Sequence, residues 1–181
     1  MANQATWTVV VLLVVLSAAG CAGAAPSVST APEIASYEEY HVVACQAWDA
    51  LDRAVGNPDT GSGSELSRVL DEAATTGDGV AADRVVTDIK AQLATGRRHL
   101  AVAGTWKPRA STVAQLDRVF AAFEAMTDAK RAVAKGEPDA VDPQLAFEQA
   151  GGVEAWYAMF DTLSAQDMAS GKPCPNVPVT P

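Results

Sequence analysis

Charge is missing from the front of this chain: the first charged side chain is Glu33. Histidine is scarce throughout, with only His41 and His99 among 181 residues. Neither belongs to a ligand set of the His-Glu-x-x-His or paired-cysteine kind, so no metal site and no metal cofactor are expected. A Gly-x-Ser-x-Gly elbow, a phosphate loop and a dinucleotide fingerprint are all lacking, which leaves no catalytic residue to assign and no organic cofactor to expect. Asp59 to Glu65 has the acidic ends of a calcium loop, but Gly61 and Gly63 stand at the third and fifth positions, where oxygen ligands are needed. Positive charge is also in deficit. Thirteen Lys and Arg oppose 22 Asp and Glu, a formal charge of −9, so phosphate backbones are repelled on average and nucleic acid is excluded as the main partner. Finally, there is no alternating run of β-branched residues long enough to build a sheet.

What the front of the chain does contain is apolar. Trp7 to Leu16 is an unbroken run of Val, Leu, Thr and Trp, the length of a signal-peptide core and short of the roughly 20 residues that span a bilayer. Small residues follow, then a cysteine: Ala18-Ala19-Gly20-Cys21. This stretch resembles the lipobox of bacterial lipoprotein precursors. The resemblance implies that residues 1–20 are a signal peptide and that Cys21 is lipidated and becomes the new N-terminus. Two alternatives are an uncleaved anchor reaching through Ala19 and Ala25, and ordinary cleavage near Ala24 or Ala25. All three put the rest of the chain on the extracytoplasmic side, lipid-anchored to the cell membrane in the first case and secreted in the last.

With Cys21 assigned to lipid, Cys45 and Cys174 remain, the even number expected of an oxidising compartment. Neither has the close Cys-x-x-Cys spacing of a redox or metal pair, so the expectation is a structural disulfide closing about 129 residues.

Residues 21–35 lack the apolar surface needed to order themselves and are expected to be a tether. Residues 36–170 read as one helical domain. Ser36-Tyr-Glu-Glu has capping-box spacing, and Tyr40, Ala44, Ala47, Leu51 and Val55 follow at helical intervals up to Gly56. Ser64 caps a short helix on Leu66, Val69, Leu70 and Ala73. After Gly77-Asp78-Gly79 a longer helix runs to about Ala103 on Val86, Ile89, Leu93, Gly96 and Leu100. Ala110 to Lys135 is the strongest helix, with Val113, Leu116, Phe120, Phe123, Met126 and Val133 expected inward and Lys130, Arg131 and Lys135 near its C-terminus, as the helix dipole favours. Asp142-Pro143 opens a short helix to Ala150. A final helix rests on Val153, Trp156, Tyr157, Phe160 and Leu163, and residues 171–181 are a proline-rich extended tail. The fold class is all-α, a compact antiparallel bundle of four main helices plus one or two short ones.

One local feature stands out. Arg97, Arg98, Lys107 and Arg109, with His99 and Trp106 among them, gather basic groups around a helix end, with no acid from Gly96 to Gln115. They are the candidate site for a small anion or a lipid headgroup, since Arg forks suit phosphate and carboxylate and Trp favours interfaces. The other reading is charge placed to complement a helix C-terminus. Beyond the leader, the Ala-rich helices, tether and tail resemble the small helical lipoproteins of unknown function common in high-GC bacteria. The function expected is that of a membrane-anchored binding or interaction module using a groove between helices, whose ligand and protein partner are unknown. An envelope enzyme and a purely structural envelope component are the alternatives.

Overall fold

The computed structural model describes residues 33–56 and 61–162. The signal segment, Cys21, most of the tether, Asp59 and Thr60, Leu163 and the tail with Cys174 lie outside these residues. Six α-helices and one 3-10 turn make up the described chain: α1 (Tyr37–Val55), α2 (Glu65–Thr76), α3 (Gly79–Ala103), the turn (Lys107–Arg109), α4 (Ala110–Ala134), α5 (Pro143–Gln149) and α6 (Gly152–Thr162). Among the described residues there is no strand, and no helix is long and apolar enough to cross a membrane.

The helices begin where short polar side chains occupy their open backbone N–H groups. Ser36 Oγ accepts from Glu39 N at 3.2 Å. The reciprocal bond of the capping box comes from Ala35 N, one residue earlier than the simplest form, to Glu39 Oε2 at 2.9 Å. Ser64 accepts from Ser67 N at 3.0 Å and donates to Ala54 O at 2.9 Å, so one hydroxyl opens α2 and closes α1. Asp78 and Asp142 cap α3 and α5 in the same way.

Four helices pack in the order α1, α3, α4, α6, with α2 lying across the first three and α5 against the last two. Leu51, Leu70, Ile89, Leu93, Leu100, Val119 and Phe120 are the large side chains fully enclosed between them. Gly96 belongs to this core. A Cβ there would lie 2.3 Å from Phe120 Cε1 and 3.2 Å from Ala47 O, so its bareness lets α1, α3 and α4 close on one point.

Register along the α3–α4 hairpin is marked by charge. Arg131 and Lys135 both reach Asp83, Lys90 meets Asp128 at 2.7 Å, and Arg97 meets Asp117 at 2.8 Å. Lys130 turns the other way, onto Asp71 of α2. The basic end of α4 thus links three helices as well as complementing a dipole. Each exposed pair contributes at most about 1 kcal/mol, but slipping the hairpin would break several at once.

Three side chains expected inward point out. Val133 is 37% exposed, Val153 37% and Tyr157 67%. On α4, Val133 lies 20 residues after Val113, which at about 100° per residue puts it nearly opposite. On α6 the buried line is Gly152, Ala155 and Met159. Small residues win that face because α6 sits close on α4: a Cβ at Gly152 would meet Phe147 Cζ at 2.5 Å and Ala122 Cβ at 2.7 Å.

Candidate functional site

The corner between α3 and α4 carries the basic cluster. Thr105 N bonds Val102 O and Trp106 N bonds Ala103 O, which tightens the end of α3 before the 3-10 turn leads straight into α4. Trp106 then lies against α1, its ring centroid 5.0 Å from that of Tyr40 and 5.7 Å from that of Tyr37. Thr105 Oγ1 accepts from Ile34 N at 3.1 Å. Ile34 itself is buried. The corner is therefore fastened to the segment that leads into α1.

The four basic residues are not equivalent. Arg97 is drawn into the α3–α4 ladder, donating from Nε and Nη2 to the two carboxylate oxygens of Asp117 at 2.8 and 3.0 Å, with Glu124 at 3.8 Å. The hydrogen bond to Asp117 raises the Arg97 pKa further. Arg98 bonds back onto its own helix, Nη2 to Thr95 Oγ1 at 2.8 Å, and stays exposed. Lys107 is exposed on the turn. Arg109 sets its guanidinium 5.7 Å from the centroid of Trp106, within cation–π range, and donates to Pro108 O. Asp117 and Glu124, which take Arg97 away from the group, fall just past the acid-free stretch. Their effect emerges only once the hairpin turns at 104–109 and brings residues on either side of the turn face to face.

Arg98 lies back along α3, bonded to Thr95, which leaves Lys107 and Arg109 at the corner. It is also the start of α4, a 25-residue helix with no acid in its first turn and no side-chain cap. Cations at a helix start are opposed by the dipole, whereas an anion there would be favoured by both the dipole and the cations. The chemistry of the corner is therefore that of a shallow, positive, partly aromatic surface suited to phosphate or carboxylate.

Two open depressions lie elsewhere. One, of about 560 Å³, runs between α3, α4 and the start of α5 past Lys90, Asp128, Arg131, Glu137, Val141 and Ala146. Its cations are already paired, Lys90 with Asp128 and Arg131 with Asp83. The other, of about 410 Å³, lies where α1 meets α2, beside Asp52, Arg53, Ser62 and Ser64. Burial, and then the charge of Asp49, raise the Asp52 pKa. Among the described residues no histidine, tyrosine or tryptophan lines either one. Among the described residues no three His, Cys, Asp or Glu side chains gather as a metal site.

His41 is half-buried on α1, its ring 5.9 Å from Tyr37 and its Nδ1 3.8 Å from Sγ of the buried Cys45. The cysteine expected to bond Cys45, Cys174, and the one expected to carry lipid, Cys21, lie outside the described residues. No family model, curated protein or solved structure matches the chain.

Proposed function

We propose that the protein is a lipid-anchored extracytoplasmic binding module, held to the membrane through Cys21 and presenting its basic corner to anionic headgroups. The observation that carries this is the fastening of Ile34 and α1 to Thr105 and Trp106. The tether that would lead from a lipidated Cys21 joins the domain beside Lys107 and Arg109, so the anchor would hold this positive corner, and not the acidic remainder, toward the bilayer. Trp106, set between the tyrosines of α1 and the Arg109 guanidinium, suits a headgroup boundary. Signal cleavage, membrane location and the Cys45–Cys174 disulfide belong to the same reading. The pairing is supported by Cys45, whose sulfur is in a disulfide bond. With Cys21 in a thioether to lipid, Cys174 is the remaining cysteine.

The test is cosedimentation of the mature chain, without lipid, on phosphatidylcholine vesicles with and without phosphatidylglycerol. Basic residues at such a surface contribute about 1 kcal/mol each, so changing Arg98, Lys107 and Arg109 to Ser should weaken binding by up to about 100-fold. Added salt should weaken the unaltered chain likewise. Binding that is indifferent to both anionic lipid and the three substitutions rejects the corner as a headgroup site.

A further inference from the structure

Toward the end of α4 far from the basic corner, the depression of about 560 Å³ between α3, α4 and α5 has the size of a small-molecule site. Its floor is made of alanine. Ala125, Ala129 and Ala132 recur at i, i+4 and i+7, which puts them on one face of α4, and Ala146 of α5 lines the space beside them. Side chains this short leave a trough where larger ones would have filled the gap between the helices. Val141, one of the large apolar side chains left exposed, lines it too.

The two sides of the trough differ in charge. Toward α3, Lys90 is tied to Asp128 and Arg131 to Asp83. On the loop that leads to α5, Glu137 and Asp139 are exposed, and among the described residues neither carboxylate has a hydrogen-bonded or ion-paired partner. Of the acids that raise the Arg131 pKa, Asp83 acts most strongly and Glu137 least. The loop carrying the two acids is fastened at each step. Gly136, at φ +65°, ends α4. Glu137 N donates to Ala132 O at 3.1 Å and Ala140 N to Glu137 O at 3.1 Å. Asp142 then caps α5, accepting from Leu145 N at 3.0 Å. The carboxylates therefore stand on a fixed support beside an apolar floor.

We infer that this trough binds an aliphatic primary ammonium ion, its methylene chain on the alanine floor and its charged end at Glu137 and Asp139. Charge complementarity selects that occupant. A carboxylate ligand would meet two acids and find the cations of the trough already paired. A neutral hydrocarbon would leave both acids unanswered, whereas an ammonium head brings three donors to them. This site is separate from the headgroup surface and does not depend on it.

The test is a titration of the mature chain, isotope-labelled at its alanine methyl groups, with n-hexylamine, which is protonated at neutral pH. Nuclear magnetic resonance should show saturable shifts at Ala125, Ala132 and Ala146, and hexanoate and methylamine at the same concentration should produce none. An exposed ion pair is worth up to about fivefold in affinity, so Glu137→Gln combined with Asp139→Asn should weaken hexylamine binding by about 5- to 25-fold. Ala125→Leu, which fills the trough and leaves the charges in place, should abolish the shifts at Ala132 and Ala146. Hexanoate shifting the same methyls as strongly, or hexylamine binding the charge variant as tightly as wild type, overturns the inference, because the trough would then be apolar without selecting charge. Shifts confined to alanines elsewhere in the bundle, or none that saturate, overturn it as well.

Discussion

Replacing Gly96 by alanine sets two effects against each other. Glycine inside a helix is about 1 kcal/mol worse than alanine, so propensity alone expects Gly96→Ala to stabilise α3. Packing says the opposite. The new methyl would sit 2.3 Å from Phe120 Cε1, 2.7 Å from Cζ and 3.2 Å from Ala47 O. Phe120 is fully buried, so its ring has nowhere to swing without displacing neighbours, and Ala47 O belongs to the α1 backbone. Overpacking of this kind costs about 1–3 kcal/mol, and a contact this short belongs at the upper end. The net expectation is a loss of about 1–2 kcal/mol once the propensity gain is subtracted. Urea unfolding followed by circular dichroism measures it as a lower midpoint at unchanged slope. Adding Phe120→Leu should be less harmful in the Gly96→Ala chain than in the wild type, because the smaller side chain leaves room for the methyl. A Gly96→Ala chain that is more stable than wild type would show that α1, α3 and α4 do not meet as closely as described.

Gly56 should tolerate substitution even less. Its φ of +92° is unfavourable for L side chains, and a Cβ would lie 2.1 Å from Ser62 O; backbone strain alone gives Gly56→Ala a loss of about 1–3 kcal/mol, read from the same urea transition. The acid limb of stability should depend on Asp83. Hydrogen bonds from Arg131 and then Lys135 hold its pKa below the usual carboxylate range, so its contribution is present above about pH 4, the unfolded value, and fades as pH falls through the folded one. Thermal melts from pH 6 to pH 2 should therefore fall less steeply for Asp83→Asn; parallel curves would reject the linkage. In a double-mutant cycle Arg97 and Asp117 should couple by about 0.2–1 kcal/mol. Arg98→Ser should change stability by no more than about 0.5 kcal/mol, and a larger loss would mean that Arg98 is held by more than Thr95.

The parts of the fold legible in the sequence are those fixed by local chemistry. Ser36, Ser64 and the Asp142-Pro143 pair mark helix starts because a side-chain oxygen must meet open N–H groups within three residues, and Gly56 marks a stop because the chain reverses there. The orientation of side chains was harder to read. Val133 faces out because its place on α4 is nearly opposite Val113, while Val153 and Tyr157 are turned outward by the close approach of α6 to α4 at Gly152 and Ala122, a fact of tertiary packing. The candidate site divides in the same way. The basic run and Trp106 are visible as a cluster, but the removal of Arg97 by Asp117 and Glu124 depends on the hairpin register. The tie from Ile34 to Thr105, 71 residues apart, has no local signal at all.

The proposed lipid anchor decides which surface faces the membrane and which cysteine is left to bond Cys45. Intact-mass measurement of the protein extracted from the membrane fraction, with sequencing of its N-terminal peptide, addresses it most directly. The expected result is a chain that begins at Cys21 and carries acyl mass on that residue. A mature chain beginning elsewhere, or one beginning at Cys21 without acyl mass, contradicts the anchor.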